Sequence, residues 1–262
     1  MTKFFALTFI LLAMLLAASS IYAKIHTEAV EYKQGSTVLE GYLAYDDSMK
    51  SKRPGVLIIH QWRGIQPYEK MRAEQIADLG YVAFAADIYG KGIRPDTPAE
   101  AGKQAGIYRA DRNLMRARAQ AGLDQLRKFD EVDPAQVAAM GYCFGGGTAL
   151  ELARSGADLL GTVSFHGTLD TPHPEDAKNI KGRILVLHGA DDPGVSPQVP
   201  AFQDEMRKAG VDWEFVSYGG AVHAFTDPSA GNDNSKGAAY NKKADERSWE
   251  EMKRFFKEIF KD

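Results

Sequence analysis

Gly141-Tyr142-Cys143-Phe144-Gly145-Gly146-Gly147 contains the only cysteine in a chain of 262 residues. Its pattern is that of a nucleophile set among glycines. An apolar run at residues 136–142 reads as a strand, and a helix-forming stretch follows to about Arg154, so Cys143 falls on a strand-to-helix turn. Such a turn is crowded, which is why glycines surround it. It also aims the first N–H groups of the helix at the side chain, favouring a thiolate and, later, an oxyanion. The motif alone is only moderately specific, because cysteine is also among the residues most often buried as a small hydrophobe.

A cysteine nucleophile needs a base, and the base needs an orienting acid. Residues 184–188 read as a buried strand, followed by Gly189-Ala190-Asp191-Asp192-Pro193-Gly194-Val195. Residues 213–218 read as the next strand, followed by Gly219-Gly220-Ala221-Val222-His223-Ala224-Phe225. The order is nucleophile, acid, histidine, with each group in a loop at the carboxyl end of a strand. Asp192, directly before Pro193, is the expected acid, with Asp191 as the alternative; His223 is the expected base. The backbone N–H groups of Trp62 and Phe144 are the expected oxyanion hole, Trp62 lying in the loop after the strand at 55–60. Gln61, Arg63, His60 and His166 are expected to line the substrate pocket. No C-x-x-C or HExxH spacing occurs, so no metal site is expected. Activity is expected to fall as His223 takes up a proton near the ordinary histidine pKa of about 6.5.

The elements that must hold these groups follow from the apolar pattern. Residues 28–33 and 37–44 suggest an opening hairpin about the turn Gln34-Gly35-Ser36. Residues 55–60 (GVLIIH) are a continuous apolar run, the mark of a strand covered on both faces; 81–86 (YVAFAA) reads as the next buried strand, and 136–142 and 160–165 read as further strands. Helical stretches are predicted to Asp78, from about residue 98 to Phe129, over 144–154 and over 197–209. A last helix carries Trp249, Met252, Phe255, Phe256 and Ile259 as one apolar stripe. Strands alternating with helices predict one α/β domain, a mostly parallel, doubly wound sheet with helices on both faces.

The amino terminus has a different character. Lys3 precedes an uncharged stretch at 4–18, and Ser19-Ser20-Ile21-Tyr22-Ala23 resembles a cleavage site. The stretch is shorter than the ~20 apolar residues that span a bilayer. Residues 1–23 are thus expected to be a signal peptide and 24–262 the mature domain, periplasmic or secreted, with no stable membrane insertion after cleavage. Amino-terminal sequencing of exported protein should find a start near Lys24. The net charge of −3 shows no basic excess for nucleic acid.

Taken together, the loop at 60–64, Ala86-Asp87-Ile88-Tyr89-Gly90, the elbow at 141–147, the loop at 188–195 and His223-Ala224-Phe225 resemble the dienelactone hydrolase family. The resemblance covers nearly all of the mature chain. It implies a single α/β-hydrolase domain, a Cys143–His223–Asp192 triad, a small-molecule ester or lactone substrate, no cofactor and a monomer. Two positions depart from the family pattern. Gln61 stands where those proteins carry a glutamate that helps to form the thiolate, so Gln61→Glu is expected to raise thiol reactivity. Thr226, or Asp227 one position later, stands where they carry an arginine for the substrate carboxylate; Arg63, Arg94 and Arg109 are the arginines that could replace it. Two other readings fit the same residues: a non-catalytic binding protein on a hydrolase fold, and a redox-sensitive thiol.

Overall fold

The computed structural model describes residues 24–260. The order is β1 (Ile25–Gln34), β2 (Thr37–Asp46), β3 (Arg53–Ile59), α1 (Pro67–Asp78), β4 (Val82–Ala86), α2 (Pro98–Ala110), α3 (Arg112–Leu126) and β5 (Val132–Tyr142). Then come α4 (Phe144–Arg154), β6 (Gly161–Phe165), β7 (Arg183–Gly189), α5 (Val199–Ala209), β8 (Trp213–Tyr218) and α6 (Lys242–Ile259). These strands form one sheet in the order β1-β2-β4-β3-β5-β6-β7-β8. β1 pairs antiparallel with β2, and β2 with β4. Every pairing from β4 to β8 is parallel.

The continuous apolar strands are buried because helices cover both faces of the sheet. Side chains alternate along a strand. On β3, Leu57 and Ile59 pack with Leu123 and Leu126 of α3 and Leu152 of α4. Val56 and Ile58 pack on the other face with Ala73 and Ile76 of α1 and Met252 and Phe256 of α6. Each of these Val, Leu, Ile, Met and Phe side chains contributes about 1.5–3 kcal/mol by leaving water. The α6 stripe docks as its spacing predicts: Met252, Phe255, Phe256 and Ile259 are buried, and Trp249 packs at the edge of the cluster. A third cluster seats Phe202 and Met206 of α5 against Ile184 and Val186 of β7.

Three boundaries differ from the sequence pattern. The single helical stretch expected up to Phe129 is two helices, because Asp111 leaves helical geometry (φ −118°, ψ 87°) and its Oδ1 accepts the Leu114 N–H at 2.9 Å as the cap of α3. A short polar side chain that bonds nearby backbone competes with the helix in this way. The hairpin pairs from Ile25 to Asp46, beyond its apolar residues. β5 starts at Val132 and shifts register against β3 between Pro54 and Gly55. The signal-like segment 1–23 lies outside the described residues. Among the described residues, no helix is long and apolar enough to cross a membrane.

Candidate active site

Cys143 sits between β5 and α4 with φ 55° and ψ −117°. The crowding expected of its turn is visible at two glycines. A Cβ on Gly145 would fall 2.1 Å from the Ile59 carbonyl oxygen, and one on Gly141 would fall 2.1 Å from that of Gly145. Only glycine lets β3, β5 and the first turn of α4 meet here. Among the described residues, three that are not glycine have positive φ: Cys143, His166 and Ala224. Each such conformation costs on the order of 1–3 kcal/mol and must be held by its surroundings. All three lie at the ends of β5, β6 and the loop after β8, where the polar groups converge.

His223 Nε2 lies 3.0 Å from Cys143 Sγ, and His223 Nδ1 lies 2.9 Å from Asp192 Oδ2. Asp192 is buried, and its other oxygen accepts the N–H groups of Gly194 at 2.8 Å and Val195 at 3.1 Å. Asp191 is exposed and turned the other way, accepting the Gly220 N–H at 2.9 Å. Burial alone would raise the Asp192 carboxyl; the His223 bond and charge, with the two N–H groups, hold it below its ordinary value. Burial alone would lower the His223 imidazole, but the Cys143 sulfur and the Asp192 carboxylate outweigh it and raise His223 to about 10. Burial also opposes a charge on Cys143, yet His223, the Phe144 N–H and Arg109 bring its thiol below the ordinary value. The arrangement favours a thiolate–imidazolium pair. That corrects the expectation of a His223 titrating near 6.5, which ignored the two negative partners.

The loop after β3 is pinned on every side. His60 Nδ1 donates to the Gln61 carbonyl at 2.5 Å, and His60 Nε2 accepts the Ile88 N–H at 3.1 Å. Burial first of all drives the His60 imidazole down to about 4, so it works as a neutral ring. The Gln61 carbonyl and the Trp62 N–H share one planar peptide and point in opposite directions. Holding the carbonyl therefore fixes the N–H. The Trp62 carbonyl takes the Tyr89 hydroxyl at 3.0 Å. Buried Glu69, in the first turn of α1, accepts the Gln61 N–H at 3.0 Å and the Gln66 N–H at 2.8 Å, so one carboxylate closes both ends of the loop.

A cavity of about 900 Å³ opens over the sulfur, its wall including Gln61, Trp62, Arg63, Arg109, Cys143, His223 and Asp227. Gln61 and Arg63 thus reach the cavity, whereas His60 and His166 do not. They are 0% and 1% exposed and stand behind its wall, because each ends a central strand and turns into the protein. Of the arginines, Arg63 donates to the Asp96 carbonyl and Arg109 lies over the Phe144 ring at 5.9 Å. Arg94 instead turns to the Ile65 carbonyl and to Asp87. The Gln61 amide donates to Asp227 Oδ2 at 2.8 Å. A glutamate at 61 would face that carboxylate, so Gln61→Glu no longer offers a simple gain in thiol reactivity. Among the described residues, no group of three or more His, Cys, Asp and Glu side chains is placed to hold a metal ion.

No motif marked Glu69, and the resemblance marked Thr226 and Asp227 only as the place of an absent arginine, not as the partners of His166 and Gln61. The one sequence signal for Glu69 was its place three residues after Gln66, the spacing of a capping box that α1 does form. Thr226 Oγ1 meets His166 Nε2 and Tyr68 Oη, both at 2.7 Å, across separations of 60 and 158 residues that no local pattern reveals.

A model of the dienelactone hydrolase family matches residues 39–260. Protein usf of Aquifex pyrophilus is 31% identical over 204 residues, covering 76% of this chain and 86% of that protein. The solved structure of m3DLH is similar with a TM-score of 0.87 and 42% identity, covering 90% of this chain and 99% of that one. P91, a dienelactone hydrolase-like promiscuous phosphotriesterase from metagenomic libraries, is similar with a TM-score of 0.86 and 41% identity, covering 92% of this chain and 100% of its own.

Proposed function

This chain belongs to the dienelactone hydrolase family, and we propose that it hydrolyses a carboxylic ester, lactone or thioester through a Cys143–His223–Asp192 triad and an acyl-enzyme. The observation that carries the triad is the continuous contact from Sγ through the imidazole to a buried carboxylate, 3.0 and 2.9 Å. The Cys143 thiolate attacks the carbonyl carbon; a C–S bond forms and the carbonyl electron pair moves to oxygen. The N–H groups of Phe144 and Trp62 receive that oxyanion, each such donor being worth ~3 kcal/mol in the transition state. On collapse, the C–O bond (or the substrate's own C–S bond) breaks and the His223 imidazolium protonates the leaving group. In a lactone the leaving oxygen stays tethered to the acyl chain.

The second half uses the loss of charge in the first. Once the sulfur is acylated, His223 has lost one negative neighbour and its proton, so it is neutral and able to take a proton from water. Hydroxide adds to the thioester, the tetrahedral intermediate expels the thiolate, and the resting ion pair is restored. Asp192 holds Nδ1 and the ring orientation throughout.

Export rests on the charged and then apolar segment before Lys24, and the proposed working place is the periplasm or the exterior of the cell. The substrate panel should hold aryl esters, lactones and thioesters. It should also hold a neutral phosphotriester, because P91 is named as a phosphotriesterase. The expected result is turnover of at least one class by the wild type, its loss in Cys143→Ala, and a single iodoacetamide adduct on Cys143. Equal turnover by Cys143→Ala would sink the triad. A wild type inert to the whole panel, with an unreactive thiol, would favour the binding-protein reading instead.

A further inference from the structure

A second histidine stands behind the triad and takes no part in the steps above. His166 follows β6, is 1% exposed, and has φ 40°. The Cys143 backbone N–H, which donates to the Phe165 carbonyl at 3.0 Å, is shared with His166 Nδ1 at 3.2 Å, while His166 Nε2 lies 2.7 Å from Thr226 Oγ1. A backbone N–H only donates, so Nδ1 carries the lone pair and the ring proton sits on Nε2, given to the Thr226 hydroxyl. A doubly protonated ring would set N–H against N–H.

Thr226 is buried three residues beyond His223 and is itself tied down. Its hydroxyl meets Tyr68 Oη at 2.7 Å, and Arg72 Nε donates to that phenol at 3.1 Å. Arg72 Nη2 reaches the Thr226 carbonyl at 3.0 Å and Asp245 of α6 at 2.5 Å. The His166 ring also stands edge-on to the His223 ring, centroids 5.3 Å apart at 67°, with the Phe225 ring 5.1 Å away. The titratable and charged groups around it are His223, Cys143, Tyr142, Tyr68 and Arg72, with Asp245 beyond. Burial first, then the His223 and Arg72 charges, push the His166 imidazole well below its ordinary pKa. That agrees with the tautomer its partners require.

We propose that His166 is a positioning residue that bridges the Cys143 backbone to Thr226 and braces the His223 ring, keeping nucleophile and base in register through both half-reactions. The reason for a second tie lies in the chemistry. The His223–Sγ contact is lost while the sulfur is acylated and must re-form when it is freed. The bridge through His166 joins the same two loops without touching a reacting atom. The proposal rests on the triad reading.

Two substitutions cut the bridge from opposite ends. His166→Asn keeps a residue that tolerates positive φ and can still accept from the Cys143 N–H, but it is too short to reach Thr226. Thr226→Val keeps the shape and loses the hydroxyl. Each should lower kcat about ten- to a hundredfold, the range a displacement of about an ångström costs, with little change in KM. The double variant should be no slower than the slower single one, since both remove one link. The pH midpoint of Cys143 alkylation by iodoacetamide should rise in both. Additive losses, or folded variants with unchanged kcat and midpoint, overturn the proposal, as does a fall in Tm alone. If His166→Asn does not fold, Thr226→Val carries the test. Cys143→Ala assayed in parallel separates the two ideas: if it is inactive while the bridge variants are fully active, only the role of His166 fails. If Cys143→Ala is active, the triad fails.

Discussion

A cysteine that is only 8% exposed is a poor place for a negative charge, and Cys143 can hold one only because a cation and an N–H face it. The sign of each shift sets the pH window. The Cys143 pKa is lowered, so the thiolate exists above that lowered value and is lost as pH falls through it. The His223 pKa is raised, so its proton is held below about 10 and lost as pH rises through that point. Alkylation of Cys143 by iodoacetamide should therefore have a midpoint below the ~8.5 of an ordinary thiol. Turnover should share that acid limb and decline again toward pH 10, where no proton is left for the leaving group. Asp192→Asn removes one of the charges that hold the His223 proton, so its alkylation midpoint should move upward. A wild-type midpoint at or above the ordinary thiol value would refute the ion pair.

At the scale of elements, the amino end of α1 does two things at once. Glu69 is the third residue of the helix and closes its capping box, and the same carboxylate holds residues 61–66 against β3. Burial, its largest influence, raises the Glu69 carboxyl from 4.5 to about 7, against the pull of the Gln61 and Gln66 N–H groups. The folded chain thus binds this proton more tightly than the unfolded one. The stability it contributes is full below 4.5 and is lost as pH rises through about 7. Glu69→Gln is neutral at every pH, so this share of the pH dependence of Tm should vanish. Its amide accepts one loop N–H but sets its NH2 against the other. The Trp62 N–H should lose alignment, lowering kcat about tenfold or more. Unfolding scans from pH 4 to 9, with parallel kinetics, check both halves; an unchanged pH dependence of Tm would show that Glu69 does not titrate across this range.

Across the whole molecule, a second polar assembly lies away from the sulfur. Arg154 of α4 donates to Glu205 of α5 at 2.7 and 2.9 Å, to Glu151 at 3.0 Å and to the Leu169 carbonyl at 3.0 Å. Arg116 of α3 continues the network to Glu151 at 2.9 Å and Asp176 at 2.7 Å. Three helices on one face of the sheet, and the loop after β6, are joined through buried and half-buried charges. Arg154→Ala leaves Glu205 without this partner and should cost about 3–5 kcal/mol of unfolding free energy. Activity per folded molecule should be retained. Denaturant unfolding measures the first and active-site titration with iodoacetamide normalises the second. A loss under about 1 kcal/mol would mean that water reaches the network.

The sequence by itself determined the central strands and α6, because strands covered on both faces must be largely apolar and α6 must carry its stripe at helical spacing. It also determined which loops hold Cys143, Asp192 and His223, since the glycines around Cys143 mark a strand-to-helix turn and the other two follow later strands. Only the tertiary structure decided which aspartate faces His223, that the Gln61 amide is committed to Asp227, and that His60 and His166 stand behind the cavity wall. The pH behaviour was decided there too. Burial and opposite charges only 3.0 and 2.9 Å away set the protonation of Cys143 and His223, and groups 80 and 31 residues apart in the chain acquire those distances only when the sheet closes.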